Sequence, residues 1–306
     1  MAANNTNGTI CVHGDCPSTG RLDDVWVFDV TSQTWTELPA APPPARGDLR
    51  LPLSARSCIA CTGTTASESK AARSFGSALH AMADPCRIVV FASGNGSNFQ
   101  ALIDAVKDGR IPNSKIIRLI VNRAKAYATT RADNAGIPWE YFNLISHGFQ
   151  AKGEQDPVKI QEARNKYDAA LAEKLLKGDY KPELVILAGW MYVFGKAFLD
   201  PLEAAGIKII NLHPALPGKY DGAGAIERAY QDFKAGRLEN NRTGIMVHYV
   251  IDQVDRGEPI LVREIECRED EDLHQLEERI HKNEHELIVE AAALVVKQIL
   301  EQRSRQ

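Results

Sequence analysis

The chain has 306 residues, 44% hydrophobic and 25% charged, enough apolar content for a sizeable core beneath an ordinary polar surface. Its formal charge of −4 lacks the basic excess of a nucleic-acid binder, and no apolar stretch approaches the roughly 18 residues of a membrane span. The expectation is therefore a cytoplasmic protein with no nucleic-acid or membrane partner, because the opening Met1-Ala-Ala-Asn-Asn-Thr also lacks the basic and apolar regions of a signal peptide.

Residues 21–40 alternate apolar and polar positions through Val25, Val27 and Val30, turn at Thr-Ser-Gln, and continue at Thr34–Leu38, the pattern of a β-hairpin. With Pro42, Pro43, Pro44, Ala45, Arg46 and Gly47 after it, this stretch resembles a single kelch blade, whose usual pattern ends in a Pro-Pro-x-Arg-x-Gly segment. Such repeats cannot bury their faces alone, and no second copy follows, so residues 1–61 are expected to be an isolated blade-like fragment. Residues 62–84, rich in Ala, Ser and Thr, suit a linker with a frayed helix over Ala71–Met82. Cys11, Cys16, Cys58 and Cys61 allow a four-thiolate zinc site, but the spacing is wide and Cys58 and Cys61 have the small apolar neighbours of ordinary packing.

From residue 85 to 306 the pattern is strand and helix in alternation. Strands are predicted at Arg87–Ala92, Ile116–Val121, Leu184–Ala188 and Lys208–Leu212, and helices at Phe99–Val106, Ala124–Ala135 and Lys166–Leu176. A hairpin-like pair at Gly244–Val250 and Glu258–Cys267 and a long helix over Asp272–Gln302 complete it. The fold class expected is α/β, a doubly wound and mostly parallel sheet behind a short β-rich extension.

Three stretches carry chemistry. Ser93-Gly94-Asn95-Gly96-Ser97-Asn98 lies between a strand and a helix, where glycines bring backbone N–H groups near an anion and the helix N-terminus adds positive potential. A plain glycine-rich turn is the other reading of this stretch. Asn211 and His213 sit at the carboxyl end of a strand, two residues apart and so on one face, an amide donor beside an imidazole. Asp252 and Asp255 follow His248 in a turn, where a carboxylate can orient and tune a histidine.

Taken together, Ser93–Asn98, Asn211-x-His213-Pro and Asp255, with Val121-Asn-Arg-Ala124, Leu187–Met191, Leu216–Lys219 and Gly257–Ile260, resemble the phosphoribosylglycinamide formyltransferase family, most nearly its single-function fungal members. The resemblance spans Arg87 to Val296, about two-thirds of the chain. It implies formyl transfer from 10-formyltetrahydrofolate, as co-substrate, to the amine of phosphoribosylglycinamide (GAR), with no metal. It further implies that Asn211 donates to the oxyanion, that His213 shuttles the proton, and that Asp255 orients His213 through a water. By the same resemblance Gly96, Ser97, Asn98 and Glu284 hold GAR. Arg164, the backbone of Met191, Tyr192, Val193 and Phe194, together with Asn211, Ile251 and Asp252, line the folate site.

The chain departs from the family pattern at Gly222–Arg228, where histidines are common, at His281, where Lys or Gln is common, and in the long polar stretch 146–157. Rival readings are a formyltetrahydrofolate deformylase or another formyltransferase of the superfamily. A zinc peptidase built on His281-x-x-Glu284-His285 lacks an obvious third ligand.

Overall fold

The computed structural model describes residues 84–178 and 180–305, and before them the backbone of four short strands. The chain divides into two compact units, Met1–Leu79 and His80–Gln306.

In the first unit, β1 (Ala2–Asn4), β2 (Thr9–His13), β3 (Val25–Asp29) and β4 (Thr34–Leu38) form an antiparallel sheet in chain order. The predicted hairpin is β3–β4, with Val25 opposite Leu38 and Asp29 opposite Thr34. Val30, the turn after it, the 61/62 boundary and the helix predicted over 71–82 lie outside the described residues.

In the second unit a seven-stranded sheet runs in the order β11-β10-β9-β8-β5-β6-β7. Its strands are β5 (Cys86–Ala92), β6 (Ser114–Val121), β7 (Trp139–Tyr141), β8 (Leu184–Leu187), β9 (Lys208–His213), β10 (Arg242–Tyr249) and β11 (Pro259–Glu266). The five from β7 to β9 are parallel, and β10 and β11 add an antiparallel pair at the edge. The central strands are buried on both faces, as their continuous Ile/Val/Leu runs require.

Helices cover both faces. The side chains of α1 (Ser97–Lys107), α2 (Ala128–Asn134), α5 (Ala225–Lys234) and α6 (Leu273–Arg303) pack with Val90, Ile186 and Ile210, while α3 (Pro157–Lys177) and α4 (Lys196–Ala204) pack with Val89, Val185 and Ile209. This is the doubly wound α/β class predicted. Chain order leaves β5 toward β6 and returns on the other side at β8, so the β5–β8 boundary is the switch point, where a crevice opens at the carboxyl ends of the strands.

The predicted helix over 166–176 begins nine residues earlier, at Pro157, because Asp156 caps it by accepting the Val158 N–H at 2.9 Å and Pro157 occupies the first helical position. The long helix starts as predicted, with Asp272 and Gln275 in a reciprocal capping box.

Candidate active site

The carboxyl ends of β5, β8 and β9 lie side by side, and each delivers a segment singled out in the sequence. Register explains what meets there. Asn211 on β9 pairs with Leu187 on β8 on one side and with His248 on β10 on the other, and His213 faces Met246.

Asn211 and His213 point to the same side and share one partner, Asp255, in the turn between β10 and β11. The Asn211 Nδ2 amide donates to Asp255 Oδ1 at 3.2 Å, and His213 Nδ1 lies 3.3 Å from Asp255 Oδ2. The carboxylate thus stands beside the His213 ring, at ion-pair distance. The Gly222 N–H donates to the same Oδ2 at 2.8 Å, which gives the proline loop a backbone role where the family's histidines are missing. Arg228 braces that loop by donating to the Tyr220, Asp221 and Ala223 carbonyls at 2.6, 2.8 and 2.9 Å.

Asp255 adopts the left-handed backbone region, φ +54°, which costs an aspartate on the order of 1 kcal/mol or more. Its four polar neighbours hold it there. Gly257 supports the same turn, since a Cβ at that position would fall 1.6 Å from the Tyr249 carbonyl oxygen.

His248, singled out in the sequence only as the histidine ahead of the two aspartates, also meets Asn211. It is buried, its Nδ1–H donates to the Tyr249 carbonyl at 2.8 Å, and its Nε2 meets Asn211 Nδ2 at 3.2 Å and Asp255 Oδ1 at 3.5 Å. Neutral, that nitrogen accepts from the amide; protonated, it donates to the carboxylate. The Asn211 N–H groups are thus engaged within the protein, and donation to a developing oxyanion takes one of them from its partner.

Electrostatics sort the acid from the base. Burial holds the His213 imidazole below its ordinary pKa, against the opposing pull of the Asp255 charge and the Lys219 carbonyl 3.4 Å from Nε2. Burial would raise Asp255, but the contacts from His248, the Gly222 N–H and His213 outweigh it and keep the carboxyl below the usual range. The resting pair is a neutral imidazole beside a carboxylate, which suits His213 to accept a proton.

The glycine loop after β5 enters α1 at Gly96, whose φ of +73° and whose missing Cβ, which would fall 2.7 Å from the Ala128 Cβ, make glycine necessary. Asn98 is buried, and its Nδ2 donates to Glu284 Oε2 on α6 at 3.2 Å, so the structure joins two of the residues assigned to GAR. The Asn98 Oδ1 is buried without a partner. Burial raises the Glu284 carboxyl against the lowering effects of Asn98 and His281. Ser93 ties this loop to the next: its N–H donates to the Gly189 carbonyl at 3.0 Å, and its Oγ accepts the Met191 N–H at 2.8 Å.

Arg164, in the second turn of α3, donates to the Val193 carbonyl at 2.7 Å and lies over the Tyr192 ring, which joins it to the 191–194 segment. Met191, Val193, Ile251 and Val254 are exposed apolar side chains, whereas Phe194 packs inward on Phe198 and the Tyr192 hydroxyl donates to Asp168. Asp252 turns away from Asp255 to pair with Lys196 at 3.6 Å. Among the described residues no group of three His, Cys, Asp or Glu side chains could hold a metal ion.

Residues 86–292 match the formyl transferase family model. The phosphoribosylglycinamide formyltransferase of Schizosaccharomyces pombe is 42% identical over 210 residues, covering 68% of this chain and 96% of that protein. That of Bacillus subtilis is 34% identical over 199 residues, covering 65% and 89%. Among solved structures, phosphoribosylglycinamide formyltransferase from Bacillus halodurans superposes with a TM-score of 0.57 at 27% identity over 69% of this chain and 95% of that one. The match to the family model begins at Cys86, and the comparisons give the kelch-like reading of residues 21–47 no support.

Proposed function

The chain belongs to the formyl transferase family, and from that membership we infer its reaction: it moves the formyl group of 10-formyltetrahydrofolate onto the amine of GAR, a step of purine biosynthesis. The observation that carries the reading to individual residues is the convergence of Asn211, His213 and Asp255 at the carboxyl end of β9.

In the reaction we assign to them, the neutral amine of GAR attacks the formyl carbon. A C–N bond forms, and negative charge collects on the formyl oxygen. Asn211 turns one N–H toward that oxygen; such a donor accounts for roughly 10²–10³ in rate. His213 takes the proton that the nitrogen sheds and returns it to the departing folate nitrogen as the old C–N bond breaks, a role that accounts for about 10²–10⁴. Asp255 fixes the ring and stabilises its transient positive charge. Gly96, Ser97 and Asn98 would hold the GAR phosphate at the N-terminus of α1, with Glu284 beside them, and Arg164 with the 191–194 and 251–252 segments would hold the folate.

The test is consumption of 10-formyltetrahydrofolate by the purified protein with and without GAR. Loss of the donor that depends on GAR, with formyl-GAR as product, is expected. Hydrolysis of the donor at the same rate without GAR would overturn the reading in favour of a deformylase.

A further inference from the structure

Arg131 belongs to no motif, yet all of its polar contacts fall on the glycine loop and the helix that follows it. Its Nε donates to the Asn95 carbonyl at 2.9 Å, one terminal nitrogen to Asn95 Oδ1 at 2.8 Å, and the other to Gln100 Oε1 at 3.3 Å. These contacts flank Gly96–Asn98 on both sides. Ala128, three residues earlier and on the same side of α2, donates its N–H to the Gly94 carbonyl at 3.2 Å and fills the space that a Cβ on Gly96 would need. Helix α2 is therefore a brace for this loop, and Arg131 is its polar half.

The chemistry of the contacts is informative. Every partner is a neutral oxygen, and among the described residues no carboxylate pairs with Arg131; its guanidinium otherwise lies 5.1 Å from the Tyr127 ring centre. Half of the other arginines among the described residues pair with a carboxylate, as in Arg110–Asp108, Arg237–Asp232 and Arg279–Glu271, whereas Arg131 does not. A fork with five N–H donors and three of them engaged keeps two, along with a full positive charge, beside a loop of backbone N–H groups. The charge reaches the α6 side of the cradle as well, where it helps to hold His285 neutral after burial and His281.

We propose that Arg131 is a positioning residue for the phosphate of the acceptor substrate, locking the loop at Asn95 and supplying uncompensated charge to the cradle. This deepens the GAR reading above and rests on it. A residue serving only as a strut would tolerate loss of its charge wherever its shape is kept.

The experiment compares wild type with R131K and R131Q in two readouts. In steady-state kinetics, R131Q raises the KM for GAR roughly 10- to 100-fold, the scale of a lost charge-assisted contact, with the loss in KM rather than in kcat and the KM for 10-formyltetrahydrofolate unmoved. R131K, which keeps charge but not the fork, falls between. In thermal unfolding, inorganic phosphate raises the wild-type Tm, raises that of R131K less, and leaves R131Q unmoved. An unchanged KM for GAR in R131Q, equal behaviour of R131K and R131Q, or no phosphate shift in wild type would each overturn the proposal. If wild type binds phosphate through Arg131 but formylates no GAR, the reaction assigned above fails and the loop assignment stands.

Discussion

His213 lies between two acceptors, Asp255 Oδ2 and the Lys219 carbonyl, in a site that burial makes hostile to its charge. With the folded pKa below 6.5, the unfolded chain takes up this proton first on acidification, so the group's contribution to stability falls as pH drops from 6.5 through the lowered value. The same shift sets the activity profile. A base must be neutral, so the acid limb of kcat/KM is expected below pH 6.5. Because the Asp255 charge pulls the imidazole upward, Asp255→Asn should move that limb to still lower pH while reducing the plateau rate. A pH profile of both proteins checks this, and a limb that moves upward in the variant would contradict the pairing. Asn211 and His213 were legible because their two-residue spacing on a strand fixes a common face. The sequence also offered His248 with a carboxylate after it, but not its meeting with Asn211, which depends on the β9–β10 register that one sequence does not reveal.

At the scale of elements, the loop at Gly96 and helix α2 form one unit whose geometry tolerates no side chain at residue 96. Gly96→Ala is expected to cost roughly 1–3 kcal/mol through overpacking against Ala128 and the left-handed backbone, and to weaken GAR binding with it; urea denaturation and the KM for GAR measure the two effects. Unchanged values for both would mean that the loop yields without consequence. The buried strands β5, β6, β8 and β9 were legible as short apolar runs, and β10 and β11 as a hairpin-like pair. The three-residue β7 left too short a trace, and α4 carries Pro201 inside it, which hides its period. The early start of α3 was readable in Asp156-Pro157, a capping residue before a proline. The polarity of residues 146–157 masked it, and Arg164 thereby fell outside the predicted helix although it stands in the second turn of the observed one.

For the whole molecule, the sheet order sets the carboxyl ends of β5, β8 and β9 side by side, at and beside the point where the chain reverses direction, and the turn after the antiparallel β10 brings Asp255 to Asn211 and His213. That arrangement follows from the alternation of strands and helices, whereas the choice of which strands become neighbours rests on long-range pairing. The site is assembled within His80–Gln306. A chain beginning at Asp84, whose carbonyl accepts from Arg303, should keep the GAR-dependent rate of the full protein. Failure of that shortened protein to fold, seen by circular dichroism, would show that the preceding residues are needed. The most direct test of the central claim is a single-turnover measurement of formyl transfer to GAR by wild type, His213→Ala and Asn211→Ala at saturating substrates. The account predicts losses of roughly 10²–10⁴-fold for each, with both substrates still bound. Near-normal turnover in either variant would contradict it.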